Sequence, residues 1–139
     1  MDKKRVLLID DEQTFTRVLR FYLERTGRYE VRAEDSGTQG VRAAKEFHPD
    51  MIFLDVIMPD MDGGHVASEL AQDPRTKQIP IVFLTAVVSR EEAQAHEGVI
   101  SGQLFMAKPI GAKEVLQCLE RYLGAQRVPA ESRSIPPHP

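Results

Sequence analysis

Short apolar runs alternate five times with stretches of helical periodicity, and four of those runs end on a group capable of chemistry. Val6, Leu7, Leu8 and Ile9 precede Asp10 and Asp11, while Met51, Ile52, Phe53 and Leu54 precede Asp55. Ile81, Val82, Phe83 and Leu84 precede Thr85, and Leu104, Phe105, Met106 and Ala107 precede Lys108. An uninterrupted apolar run is what a strand covered on both faces requires. Strands alternating with helices imply right-handed crossovers, and therefore a doubly wound α/β fold: a five-stranded parallel sheet with helices on both faces. The carboxyl ends of such strands gather along one edge, where ligand crevices form. Asp10, Asp11 and Asp55 would repel one another there unless a cation joins them. Carboxylates with water suit a hard, octahedral ion, which points to Mg²⁺.

The helices are legible from spacing. Phe15, Val18, Leu19, Tyr22 and Leu23 recur at i, i+3, i+4, i+7 and i+8, so they predict the buried face of a first helix stopped by Gly27. Residues 29–33 read as a less apolar strand near an edge. Ser36 with Gln39 forms a capping box for a helix through Val41, Ala44 and Phe47, ended by Pro49. A loop over 56–64 leads to a short helix with Val66 and Leu70 inward, stopped near Asp73 and Pro74. Ser89 with Glu92 predicts a fourth helix, ended by Gly98 or Gly102. Val115, Leu116, Leu119, Tyr122 and Leu123 mark the last helix, closed by Gly124. Residues 1–124 then form one domain. Residues 125–139 carry four prolines and no apolar periodicity, as in a disordered tail or an interdomain linker.

Composition removes several classes of function. A net charge of −3 without a dense Lys/Arg stripe gives no reason to expect nucleic-acid binding. No run is long enough to cross a membrane or to act as a signal peptide. Cys118 is the single cysteine, which excludes an internal disulfide and fits a reducing cytoplasm. The four histidines, at 48, 65, 96 and 138, match no metal-ligand spacing. Met58 and Met61 serve either as loop filling or as a partner surface.

The ordered set of Asp10-Asp11, Asp55 within Leu-Asp-Val-Ile-Met-Pro-Asp-Met-Asp-Gly, Thr85-Ala86 and Lys108-Pro109 resembles a response-regulator receiver domain of two-component signalling, similar to the chemotaxis receivers. The resemblance covers residues 4 to 124 and implies the flavodoxin-like strand order 2-1-3-4-5. It implies that Asp55 accepts phosphate from a histidine kinase or a histidine phosphotransfer protein. It implies that Asp10, Asp11, Asp55 and the backbone carbonyl of Ile57 hold Mg²⁺ or Mn²⁺. Lys108 and Thr85 would contact the phosphoryl oxygens, and the Lys108–Pro109 bond would be cis. Thr85 and Phe105 would form a switch acting on an output protein or a second copy, through the fourth helix, fifth strand and fifth helix. The domain would phosphorylate and dephosphorylate itself without turning over an independent substrate. Ile57 and Val87, both apolar, would flank the water that attacks the phosphorylated residue, which implies slow phosphate loss.

The bland readings weigh less. Asp10 and Asp11 could cap the first helix, but one Asp suffices for that. A flavin or nucleotide binder needs glycines or hydroxyls in its first loop, where this chain has Asp-Asp-Glu. A phosphohydrolase with an Asp nucleophile needs a second acid two residues on, where Ile57 stands. A receiver acting only as an interaction module would not need the full acidic set. Fifteen residues after Gly124 are too few for an output domain, so the sequence is read as either a stand-alone receiver or part of a longer chain.

Overall fold

The computed structural model describes residues 3–86, 99–100 and 103–124. In chain order these form β1 (Lys4–Ile9), α1 (Gln13–Arg25), β2 (Tyr29–Glu34), α2 (Gly37–Phe47), β3 (Met51–Asp55), α3 (Gly63–Gln72), β4 (Ile81–Thr85), β5 (Val99–Ile100), β6 (Gln103–Ala107) and α4 (Ala112–Leu123). The sheet runs β2-β1-β3-β4-β6-β5. Its five main strands are parallel, and with β6 as the fifth of them they follow the expected 2-1-3-4-5 order. The less apolar β2 lies at one edge. At the other edge the two-residue β5 pairs antiparallel with β6. Two residues are too short to carry a periodic pattern, and the sequence did not predict β5.

Alternation along each strand divides the core. Val6, Leu8, Met51, Phe53, Val82 and Leu84 face Leu19 and Leu23 of α1 and Val115, Leu119 and Leu123 of α4. Leu7, Ile9, Ile52, Leu54 and Phe83 face Val41 and Ala44 of α2 and Val66 and Leu70 of α3. Successive residues of a strand point to opposite faces, so four consecutive apolar residues feed both cores at once. Met58 is buried and Met61 half-buried in the second cluster, so both fill the loop rather than offer a partner surface.

Helix boundaries follow local chemistry. Ser36 caps α2 by accepting the Gln39 N–H at 3.2 Å. Gly27, with φ +75°, lets the chain leave α1 through a left-handed turn. Asp60 ties the loop after β3 to the start of α2, accepting the N–H groups of Gly37 and Thr38 at 3.0 and 3.2 Å.

One expectation fails in α1. Thr16, Leu19 and Leu23 are buried, Phe15 is half-buried, and Val18 and Tyr22 are 49% and 48% exposed. The helix is rotated by roughly 60° from the centre of its apolar arc, at about 100° per residue. Thr16 can enter the core because its hydroxyl donates to the Gln13 carbonyl at 3.1 Å. The helix predicted from Ser89 and Glu92, its end at Gly98 or Gly102, Val87, expected to flank the attacking water, and the tail at 125–139 all lie outside the described residues.

Candidate functional site

The carboxyl ends of β1, β3, β4 and β6 meet at one edge of the sheet. Asp55 pairs with Leu84, and Thr85 with Ala107, which sets Asp55, Thr85 and Lys108 on successive strand ends. The Lys108 N–H donates to the Thr85 carbonyl at 2.9 Å, and the Lys108–Pro109 peptide is cis. Beyond Asp55 the chain turns back on itself, the Gly63 N–H donating to the Val56 carbonyl at 2.7 Å. A Cβ on Gly63 would stand 2.5 Å from the Asp55 carbonyl oxygen, so only glycine lets α3 start this close to β3.

Asp10, Asp11 and Asp55 each place a carboxylate oxygen within 4.8 Å of the others. Asp10 and Asp55 are 1% and 7% exposed, and Asp11 is exposed. Helix capping does not account for this pair of aspartates. Glu12 is the residue before α1, without a side-chain cap, and Asp10 Oδ1 accepts the Glu12 N–H at 2.9 Å. Asp10 Oδ2 lies 2.9 Å from Lys108 Nζ, an ion-pair contact without hydrogen-bond alignment, and it has no aligned donor. A buried carboxylate oxygen left in this way, beside two further carboxylates, fits a hard divalent cation in donor chemistry and in spacing.

Charge crowding sets the protonation behaviour. Burial, then the charge of Asp10, pushes the Asp55 carboxyl up to about 6, against a lowering by Lys108 and by the Ile57 N–H. Burial also raises Asp10, partly offset by the Glu12 N–H and by Lys108. At Lys108 burial favours the neutral amine, but the hydrogen bond to Glu12 and the nearby Asp10 and Asp55 carboxylates outweigh it. The ammonium is held above its ordinary range.

The remaining expected residues are placed as follows. Thr85 is buried at the end of β4. Phe105, half-buried, stacks on Phe83 with centroids 5.2 Å apart and rings at 27°. The Ile57 side chain is two-thirds exposed, while its N–H donates to the Asp55 carboxylate. Sequence reading missed Glu12, whose Oε1 lies 2.5 Å from Lys108 Nζ, and Phe15, whose ring centroid lies 5.4 Å from it. Glu12 adjoins the acidic pair, which was a signal. Nothing local marked Phe15, because a helical aromatic reads first as core. Beside these groups opens a cavity of about 340 Å³ lined by Glu12, Phe15, Ala86, Lys108, Pro109 and Ile110.

The model of the response regulator receiver domain matches residues 6–120. The chain belongs to this family. Receiver relatives include the polar-differentiation response regulator DivK of Brucella ovis, 28% identical over 87% of this chain and 97% of that protein. The alkaline phosphatase synthesis regulator PhoP of Bacillus subtilis is 32% identical, over 93% of this chain but 52% of its own length. Among solved receivers, the chemotaxis protein CheY4 of Vibrio cholerae superposes with a TM-score of 0.73 at 27% identity, over 88% of this chain and all of that one. The receiver domain of the sensor histidine kinase PA1611 of Pseudomonas aeruginosa, with a magnesium ion coordinated in its active site cleft, gives 0.72 at 26% identity, covering 88% and 99%. This receiver is thus a two-component signalling domain in which the expected acidic cluster is assembled. No helix among its described residues is long and apolar enough to cross a membrane.

Proposed function

We propose that this receiver takes a phosphoryl group on Asp55 from a phosphohistidine of a histidine kinase or phosphotransfer protein, and that the aspartyl phosphate switches an output surface. The observation that carries the reading is the convergence of Asp10, Asp11 and Asp55 with the Lys108 ammonium at one sheet edge. Mg²⁺, or Mn²⁺, held by Asp10, Asp11, Asp55 and the Ile57 carbonyl, supplies charge neutralisation to the phosphoryl oxygens. The magnesium in the cleft of the related Pseudomonas receiver supports that assignment.

An Asp55 carboxylate oxygen attacks phosphorus, the bond to the donor nitrogen breaks, and that nitrogen leaves with its electron pair. Lys108, now 3.6 Å from Asp55 Oδ1, pairs with the transferred oxygens, and the Thr85 hydroxyl donates to them. Drawing Thr85 inward vacates space for Phe105 to turn in from its stack on Phe83, which alters the edge of the sheet. The readers of that change are an output protein or a second copy of the receiver. They contact the surface of β6, α4 and the helix expected from Ser89. The domain acts in the cytoplasm, without nucleic acid and without turnover of an independent substrate, since the apolar Ile57 stands where a hydrolase would carry its second acid.

Acetyl phosphate tests the reading. Intact mass should show one added phosphoryl group only when Mg²⁺ or Mn²⁺ is present, and Asp55→Asn should abolish it. Equal labelling of that variant, or labelling in excess chelator, would overturn the assignment.

A further inference from the structure

Lys108 is closest, at 2.5 Å, to Glu12, a carboxylate that is not part of the acidic cluster. We infer that Glu12 holds Lys108 in a resting station from which a phosphoryl group must withdraw it, so that Glu12 sets how readily Asp55 accepts and keeps that group. The inference rests on the phosphoacceptor reading and adds a positioning residue to it.

A single Nζ position meets two sets of partners. One is the cluster, with Asp10 Oδ2 at 2.9 Å and Asp55 Oδ1 at 3.6 Å. The other is Glu12 Oε1 at 2.5 Å with the face of the Phe15 ring, whose centroid is 5.4 Å away. The two sides differ in what happens when the lysine moves. The Asp10 side chain is 1% exposed, so leaving it without a counter-charge is costly. The Glu12 side chain is 61% exposed, so water replaces the lysine there at little cost. Glu12 is therefore the partner Lys108 can release. It is fixed on the backbone by its own N–H, which donates to Asp10 Oδ1 at 2.9 Å. The distances identify Glu12 as a competitor of the incoming anion for the same ammonium. Its competition acts through Lys108 and depends on reach, since one methylene fewer withdraws the carboxylate from Nζ.

Beryllofluoride, a phosphoryl mimic, serves as the probe in saturating Mg²⁺, with its dissociation constant as the readout. Glu12→Gln should tighten binding by about twofold to fivefold, the range expected for losing a short ion pair with one exposed partner. Glu12→Asp keeps the charge but loses the reach, and should tighten binding by a similar factor. In a Lys108→Met background, both changes at Glu12 should have no effect. Equal binding by the wild type and Glu12→Gln overturns the inference. So does tightening by Gln without tightening by Asp, which would be a general field effect, or an effect that survives Lys108→Met. Failure of the wild type to bind the mimic at all would instead remove the phosphoacceptor reading, and this inference with it.

Discussion

At the scale of single residues, the site is made by side chains whose neighbours settle their chemistry. Asp55 is a stronger base than an ordinary carboxylate, because burial and the Asp10 charge raise it to about 6, and a cation at the cluster would favour its ionised form. Ile57, two residues on, lowers the Asp55 carboxyl through its N–H while its side chain stands two-thirds exposed beside this proposed phosphoacceptor. A water attacking the aspartyl phosphate must be placed in line with the bond to be broken. An apolar β-branched side chain cannot hold such a water and crowds its path. Phosphate loss should therefore be slow, and Ile57→Asn should speed it several-fold by offering a hydrogen bond to the attacking water. The check is the decay of the phosphorylated mass in Mg²⁺ after the donor is removed, and equal decay of wild type and variant would deny Ile57 that control. The strand-end residues of the candidate site were legible as a group because each closes an apolar run. Glu12 and Phe15 were not, because their role lies in distances to Lys108 across 96 and 93 residues of chain rather than in any local pattern.

At the scale of elements, strands were easier to read than helix faces. The two cores draw on alternate residues of the same strands, so an apolar run of four has one structural meaning. The face of α1 depended on how the helix rolls on the sheet, and a hydrogen-bonded threonine took a place that Val18 or Tyr22 was expected to fill. The arc left outward carries Val18, Phe21 and Tyr22, with Phe21 and Tyr22 edge to face at 5.4 Å and Arg25 over the Phe21 ring. This assignment of faces can be measured. Leu19→Ala should cost about 2–5 kcal/mol, the range for a buried leucine. Phe21→Ala should cost under about 1 kcal/mol, because its ring is already 55% exposed. Urea unfolding of both variants decides it, and comparable losses would mean that α1 is rolled the other way. β5 was illegible for a different reason: two residues become a strand only through the partner β6.

At the scale of the whole molecule, the acidic edge sets stability against readiness to bind. A buried carboxyl raised from its ordinary 3.8 to about 6 opposes folding wherever it must be ionised in the native state. Between those values the folded chain holds a proton at Asp55 that the unfolded chain has lost, so the contribution of this group improves as pH falls from 7 through about 6. Asp60 and Asp73 work in the opposite sense. Backbone N–H groups at Gly37 and Thr38 lower Asp60, and Arg75 lowers Asp73. Their stabilisation is present above the ordinary carboxylate range and is lost as pH falls below it. The metal-free protein should therefore melt highest on the acid side of neutrality, near about pH 5, before those depressed carboxyls protonate. Saturating Mg²⁺ should raise the melting temperature most at neutral pH, where Asp55 is ionised, and progressively less as pH falls through about 6. Asp55→Asn removes the buried charge, so at pH 7 the metal-free variant should gain roughly 1–2 kcal/mol while losing most of the response to metal. Melting curves across pH, with and without Mg²⁺, for wild type and Asp55→Asn carry the test. A wild-type profile that neither rises toward pH 5 nor responds to Mg²⁺ would mean that repulsion among Asp10, Asp11 and Asp55 does not govern this fold. On the proposed function, the same repulsion would ready a metal-free receiver to take a cation, and then a phosphoryl group, at an edge where the strands hold the charges together.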